Sequence, residues 1–237
     1  DTPGVPNGPG NLVWKAAVAL QRAGRVNIGA AIRLVKRIPH AAGLGGGSSD
    51  AAAAIAVLNR LWGLDWPREA LLPVAAEVGS DVGAFLSGPA SWCTGRGEKV
   101  EPESVGGSVD LVIVAPPVGL STAAVYGRAR VPESPTNGNA ARMALRSGDA
   151  AKIAAALTNR LEGPAREAEP MVGTVLAALE KCRPLGRLVS GSGSSAFAVC
   201  RDADDARRVA GEVRELLSVD APGCRTFAVR GLVPLTP

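Results

Sequence analysis

Four glycines and two serines fall within one short stretch of this chain, Gly43-Leu44-Gly45-Gly46-Gly47-Ser48-Ser49, directly before an alanine-rich segment. Glycine lets backbone N–H groups turn toward a ligand because no Cβ stands in the way. A helix that begins at the end of such a run adds N–H groups without intrahelical acceptors and the positive end of its dipole. The pattern therefore indicates a phosphate-binding loop, called here the glycine loop (residues 39–49).

Two common phosphate-binding codes do not fit this loop. A Walker A sequence needs a lysine before its Ser or Thr, and no lysine lies between Lys36 and Lys99. A dinucleotide fingerprint that starts at Gly43 needs glycine where the chain has Ser48. A close-packed turn without a ligand stays open from the loop alone. Under either interpretation, the hydroxyls of Ser48 and Ser49 are predicted to cap the helix.

Asp81 is the carboxylate that the sequence singles out, because it lies in a break of small residues between apolar helical segments. A carboxylate beside a phosphoryl group can accept the proton of an attacking hydroxyl or orient that hydroxyl. Backbone donors, Mg²⁺ and a cation would then meet the charge on the phosphoryl oxygens. Lys36 and Arg37 precede the loop, and strand alternation would point one of them toward it. Capping of the next helix by Asp81 is an equal alternative.

A second stretch of small residues, the serine loop (residues 190–195), lies between two predicted strands. Taken alone, it is more typical of a flexible hairpin turn than of a binding loop. It is not a nucleophile elbow, because glycine occupies its centre. His40 is the one histidine of the chain, so a Ser-His-Asp triad is not expected.

Composition excludes further classes of function. A formal charge of +4 without long like-charge runs, and an aromatic content of 3%, disfavour nucleic-acid binding. The four cysteines are far apart and form no C-x-x-C pair, so neither a zinc site nor a disulfide framework is expected. No apolar run is long enough to span a bilayer, and a cytoplasmic protein is expected.

Periodicity predicts the elements that must position these residues. In the first half we expect, in order, a helix capped by Asn11 that ends near Gly24, a strand over 26–38, a helix that ends near Trp62, and a helix capped by Asp65 that reaches Val78. In the second half we expect helices over 121–131, 139–161, 170–182 and 203–217, with strands at 111–114, 188–189, 196–199 and 224–234. The polar stretch near 105 divides the chain into domains at 1–105 and 106–237.

Together these motifs resemble one family of small-molecule kinases. The sequence Pro39-His40-Ala41-Ala42-Gly43-Leu44-Gly45-Gly46-Gly47-Ser48-Ser49-Asp50-Ala51-Ala52 is similar to the second signature motif of the GHMP kinase superfamily. The serine loop is similar to the third motif, and the segments at 56–59, 61–62, 79–82, 95–98 and 159–162 agree with the same family. The Gly-Gly-Gly-Ser-Ser-Asp spelling is typical of members that act in non-mevalonate isoprenoid synthesis.

The resemblance implies ATP as phosphoryl donor, Mg²⁺, and the 2-hydroxyl of 4-diphosphocytidyl-2-C-methyl-D-erythritol as acceptor. Another GHMP kinase of the homoserine or mevalonate type, and a nucleotide-binding fragment without turnover, are the alternatives. Asp81 would be the catalytic base, and adenine would lie near Asn11 and Lys36. The residues that would form the ATP loop are Pro39, His40, Ala41, Ala42, Gly43, Leu44, Gly45, Gly46, Gly47, Ser48 and Ser49.

The implied fold is α+β, with an incomplete N-terminal half like domain 2 of ribosomal protein S5 and a ferredoxin-like C-terminal half. The sequence departs from the family pattern in two places. It contains neither the Lys-x-Asn segment nor the Asp-Gly-Tyr-His segment that normally precede the first helix, so we expect exposed apolar surface in the N-terminal half, weak ATP binding and little turnover. It also has Gly83 where the family usually has proline, which loosens the turn at Asp81.

Overall fold

The computed structural model describes residues 4–134 and 137–231, and the chain divides into two compact units. Unit 1 holds residues 4–40 and Gly45–Glu103, and unit 2 holds Ala41–Leu44 and the described residues from Ser104 onward. The helices of the described chain are α1 Leu12–Gly24, α2 Gly46–Leu61, α3 Arg68–Val78, α4 Val82–Leu86, α5 Thr122–Tyr126, α6 Asn139–Ser147, α7 Ala150–Ala155, α8 Glu162–Ala168, α9 Pro170–Lys181 and α10 Ala203–Asp220. Its strands are β1 Ser91–Thr94, β2 Lys99–Pro102, β3 Asp110–Ala115, β4 Gly186–Val189, β5 Ala196–Val199 and β6 Arg225–Arg230.

Unit 1 is built from α1–α4 around a small apolar core, with the antiparallel hairpin β1–β2 beside them. Leu20 of α1 and Ile55 of α2 are fully buried, and each contributes about 1.5–3 kcal/mol by leaving water. Buried alanines such as Ala16 and Ala51 let α1 and α2 approach closely. Asn11 caps α1 as predicted, because its side chain accepts a hydrogen bond from the N–H of Val13 at 2.9 Å.

Unit 2 contains a four-stranded antiparallel sheet in the order β4-β5-β3-β6. The central strand β3 buries Val112 and Val114 completely, and α9 and α10 add their apolar faces to the same core. This arrangement confirms the predicted sheet backed by helices, with α9, α10, β3, β4 and β5 close to their expected positions. The predicted last strand forms over Arg225–Arg230, and residues 232–234 of that prediction lie outside the described residues.

The strand predicted over 26–38 is wrong, because this segment is irregular in the structure. A strand needs the backbone of a neighbouring strand, and none of the described strands pairs with this segment. It is instead held to α1 by bonds such as that from the Gln21 side chain to the Ile28 carbonyl, at 3.1 Å. Ile28, Ile32 and Val35 are each at least 46% exposed, so the expected apolar surface is present in this unit.

Other helix boundaries also differ from the prediction. The helix expected over 139–161 is divided, because Asp149 accepts hydrogen bonds from the N–H groups of Ala151 and Lys152 and so begins a new helix. The helix expected over 121–131 ends at Tyr126. Asp65 does not cap α3, whose N-cap is Pro67. In the part of the chain that the structure describes, no helix combines the length and apolar character needed to cross a membrane.

Candidate functional site

The first part of the glycine loop, Ala41–Leu44, packs against the serine loop within unit 2. The Ser190 hydroxyl donates a hydrogen bond to the Gly43 carbonyl at 2.8 Å, and the Ser195 N–H donates to the Ala42 carbonyl at 3.0 Å. Gly43 has a φ of +73°, and a Cβ at this position would lie 2.3 Å from the Ser190 carbonyl oxygen. Only glycine therefore allows the two loops to approach this closely.

Asn159 also binds the serine loop, in addition to the bonds between this loop and the glycine loop. Its side-chain amide donates to the carbonyls of Val189, at 2.9 Å, and Gly191, at 2.7 Å. Its carbonyl oxygen accepts from the N–H of Leu161 at 2.9 Å. The serine loop is thus bonded on both sides and is not the free hairpin turn that its composition alone suggests.

The second part of the glycine loop begins α2 within unit 1. Gly45 is the N-cap residue with a φ of +64°, and Gly46 is the first helical residue. The N–H groups of Gly46, Gly47 and Ser48 have no acceptor inside the helix, so they are available to an anion. Ser48 and Ser49 do not cap the helix as predicted, because they lie inside its first turn. Within the described chain their hydroxyls make no hydrogen bond.

Lys36 contributes a positive charge to this helix end. Its ammonium group forms an ion pair with Asp50, and its side chain is only 8% exposed. The same nitrogen lies 3.5 Å from where a Cβ on Gly46 would be, so it sits against the first turn of α2. The neighbouring Arg37 is exposed, and so one of the two basic residues turns inward.

Asn11 and Lys36 both line a cavity of about 680 Å³ in unit 1. Its wall combines apolar side chains of α1, such as Trp14, with Trp62 and with polar groups such as Gln21. Cavities of 300–1,000 Å³ with a few polar groups are typical of small-molecule sites. The Asn11 side chain also donates to the Pro6 carbonyl at 2.7 Å, which fixes its orientation at the cavity.

Asp81 lies immediately before α4, exposed to solvent. Its side chain makes no capping bond, so the alternative role as a helix cap does not apply. Gly97, in the turn of the β1–β2 hairpin, packs beside it, since a Cβ on Gly97 would lie 3.6 Å from Asp81 Oδ1. Burial raises the pKa of the Cys93 thiol, and the negative charge of Asp81 raises it further. Within the described chain, no side chain pairs with this carboxylate.

The structure places the remaining predicted residues around these groups. Pro39 is half-buried and His40 is exposed at the point where the chain leaves unit 1. The sequence alone assigns no structural role to Asn159 and does not mark Asp50 as the partner of Lys36. Both roles depend on contacts with distant parts of the chain, and Asn159 lies 32 positions from Gly191. For both Asn159 and Asp50, the local signal is a small polar side chain near the start of a helix.

Comparison with known families gives two matches that agree with this geometry. A model described as GHMP kinases N terminal domain matches residues 11–90, and one described as GHMP kinases C terminal matches residues 141–219. A Pelotomaculum thermopropionicum protein named 4-diphosphocytidyl-2-C-methyl-D-erythritol kinase is 42% identical over 89% of this chain and 74% of its own length. A Thermobifida fusca protein of the same name is 41% identical over 89% of this chain and 70% of its own length.

Solved structures agree with the α+β fold class predicted from the sequence. A crystal structure of 4-(cytidine 5'-diphospho)-2C-methyl-D-erythritol kinase is similar with a TM-score of 0.76 and 33% identity, covering 95% of this chain and 79% of that one. A homoserine kinase from Cytophaga hutchinsonii gives a TM-score of 0.80 at 19% identity, covering 98% of this chain and 79% of that one. The second similarity concerns the fold alone.

Proposed function

This chain belongs to the GHMP kinases, and on that basis we propose that it transfers the γ-phosphoryl group of ATP to the 2-hydroxyl of 4-diphosphocytidyl-2-C-methyl-D-erythritol. The reaction is a step of non-mevalonate isoprenoid synthesis. The choice of acceptor rests on one observation, the 41–42% identity to enzymes of this name over 89% of the chain. A cytoplasmic location accords with ATP as the donor.

We propose that ATP binds through the glycine loop and the cavity of unit 1. The free N–H groups at the start of α2, together with its dipole, suit the phosphates. The Lys36 ammonium, held by its ion pair with Asp50, lies beside them as a further hydrogen-bond donor. Adenine would lie in the cavity lined by Asn11, where apolar walls and a few fixed polar groups suit a base.

Magnesium ion accompanies ATP in this proposal. Mg²⁺ prefers oxygen ligands, and it is usually held by one or two protein groups together with the nucleotide phosphates. The hydroxyls of Ser48 and Ser49 fit this chemistry, because each is an oxygen donor without a protein partner in the described chain. When bound, the ion offsets the negative charge of the transferred phosphoryl group.

Asp81 is the proposed catalytic base. The acceptor oxygen forms a bond to the γ-phosphorus while the bond from that phosphorus to the β,γ-bridging oxygen breaks, and ADP leaves. The proton of the attacking hydroxyl passes to the Asp81 carboxylate, which is exposed and has no competing protein partner. The backbone N–H groups of the glycine loop hold the phosphoryl oxygens during the transfer.

A comparison of acceptors tests the proposal. The purified chain is incubated with ATP and Mg²⁺ and with 4-diphosphocytidyl-2-C-methyl-D-erythritol, homoserine or mevalonate, and ADP release and phosphorylated product are measured. We expect product with the first acceptor only, at the low turnover that the absence of the Lys-x-Asn and Asp-Gly-Tyr-His segments predicts. Transfer to homoserine or mevalonate would identify a different GHMP kinase. Binding of ATP without transfer to any of the three would instead favour a nucleotide-binding protein.

Substitution of Asp81 by asparagine tests the base directly. Loss of general-base catalysis typically lowers turnover by about 10²–10⁴-fold. We expect Asp81→Asn to reduce kcat within that range and to leave the KM for ATP nearly unchanged. Asp65→Asn is a matched control, because Asp65 is also exposed in unit 1 and its φ of +47° suits asparagine. Turnover by Asp81→Asn equal to that of the control would remove Asp81 from the mechanism.

A further inference from the structure

Phe85 makes a contact that the proposed reaction does not yet use. It belongs to α4, the helix that begins directly after Asp81. Its ring lies against the backbone of Gly45, because a Cβ on Gly45 would be 2.6 Å from Cζ of the ring and 3.0 Å from Cε2. The ring therefore connects the helix that follows the proposed base to the N-cap of the helix that would bind phosphate.

This contact is not explained by packing of the core. Phe85 is 47% exposed, and it does not belong to the cluster of buried residues that holds α1–α4 together. Val82, on the same helix, is fully buried and anchors α4 to that cluster. An aromatic ring that remains half exposed contributes less to stability than a buried one, because much of its surface stays in water.

The helix that carries Phe85 is itself well fixed. The Ser87 hydroxyl donates to the Gly83 carbonyl at 2.9 Å, and the Ser91 hydroxyl donates to the Ala84 carbonyl at 3.4 Å. The position of the ring is thus tied to the position of Asp81 through one short, bonded helix. Gly45, on the other side of the contact, accepts the hydrogen bond of the Ser49 N–H at 2.9 Å and so sets where α2 begins.

We propose that Phe85 is a positioning residue, which holds the start of α2 at a fixed distance from Asp81. The inference rests on the proposed function, because it gives the two groups their roles as phosphate site and base. Phosphoryl transfer depends on in-line placement of donor and acceptor. A displacement of about 1 Å can cost about 10²-fold in rate. A ring that limits movement between the two groups therefore affects kcat more than substrate binding.

Two substitutions of Phe85 separate positioning from stability. We expect Phe85→Ala to lower kcat by about 10–100-fold, with the KM values of both substrates changed less than about threefold. Phe85→Leu keeps an apolar side chain against Gly45 and should recover most of the lost turnover. Leu61→Ala is the control, since Leu61 is exposed in the same unit and lies at the far end of α2. Wild-type kcat in Phe85→Ala would overturn the proposal.

A double-mutant cycle with Gly45 tests the contact itself. Gly45→Ala places a methyl group into the ring and adds the strain of a side chain at a φ of +64°. In the Phe85→Ala background only the second cost remains, so we expect Gly45→Ala to reduce the free energy of unfolding less there than in the wild type. Equal losses in the two backgrounds would contradict the contact.

Hydrogen exchange keeps this inference separate from the proposed function. We expect the amides of residues 49–51, which are the first to bond within α2, to exchange faster in Phe85→Ala than in the wild type and in Leu61→Ala, whether or not the chain transfers phosphate. Unchanged exchange at these amides would refute the positioning role. Absence of transfer by the wild-type protein, with the exchange difference present, would instead reject the proposed reaction and leave the structural link in place.

Discussion

Gly43→Ala is the substitution whose cost can be worked out most directly from the structure. Gly43 has a φ of +73°, and a new Cβ would lie 2.3 Å from the Ser190 carbonyl oxygen and 2.6 Å from that of Gly193. Both neighbours are backbone atoms, so no side-chain rotation can relieve the overlap. The glycine loop and the serine loop must therefore move apart.

Three contributions make up the expected loss. An alanine at this φ costs about 1–2 kcal/mol. Separation of the loops breaks the bonds from the Ser190 hydroxyl to Gly43 and from the Ser195 N–H to Ala42. Each is worth about 1 kcal/mol. We therefore expect unfolding free energy to fall by about 3–4 kcal/mol, a large part of the 5–15 kcal/mol typical of a domain.

Urea denaturation followed by circular dichroism measures this loss, and hydrogen exchange locates it at residues 190–195. Gly211→Ala is the matched control, because Gly211 lies inside α10 of the same unit and a Cβ there meets nothing within 4 Å. That replacement should stabilise the protein by about 0.5–1 kcal/mol. If Gly43→Ala unfolded at the wild-type urea concentration, the close approach of the two loops would be wrong.

Three further predictions concern unit 2. Asn159→Ala loses the bonds to the carbonyls of Val189 and Gly191 and should cost about 2 kcal/mol, measured by urea denaturation and as faster hydrogen exchange of the serine loop. Burial raises the pKa of Asp205, but hydrogen bonds from a backbone N–H and from Arg208 outweigh it and hold the pKa below its ordinary value. Its stabilisation is therefore present above the unfolded pKa, about 4, and lost as pH falls through the lower folded value, so Asp205→Asn should flatten the stability profile in acid. Burial raises the pKa of Cys200 to about 11, so iodoacetamide at neutral pH should modify the exposed Cys93 first and Cys200 only after unfolding, as read by mass spectrometry.

The parts of the fold that the sequence predicts well are those with a local cause. The Asn11 cap and the helices α9 and α10 follow from capping residues and from apolar periodicity, both of which act within a few turns. The segment 26–38 has the alternation of a strand, but its backbone has no strand partner in the described chain. Strand formation depends on a distant neighbour, which periodicity within one segment cannot provide.

The same distinction applies to the candidate site. The glycine loop and Asp81 were recognisable because their residue types are unusual at that spacing. Two contacts hold these groups in place, the ion pair of Lys36 with Asp50 and the packing of Phe85 against Gly45. Each joins residues that are far apart in the chain. Charge and aromatic character at single positions occur throughout any sequence, so nothing local marks these residues as supports of a site.

The four glycines of the loop differ in what an added side chain would contact. We therefore expect replacement by alanine to cost a different amount at each of them. A Cβ on Gly43 meets backbone carbonyls, and one on Gly45 meets the ring of Phe85. A Cβ on Gly46 would lie 2.9 Å from a methyl carbon of Ile38, whereas one on Gly47 meets only a Leu12 methyl carbon at 3.3 Å. Backbone atoms cannot move away from the new methyl group. A ring or a branched side chain can move at some cost in energy, and a terminal methyl group can rotate away easily. Alanine should therefore destabilise the protein most at Gly43, less at Gly45 and Gly46, and least at Gly47, where helix propensity partly compensates. Equal losses of unfolding free energy at the four positions would contradict this order and the contacts from which it is derived.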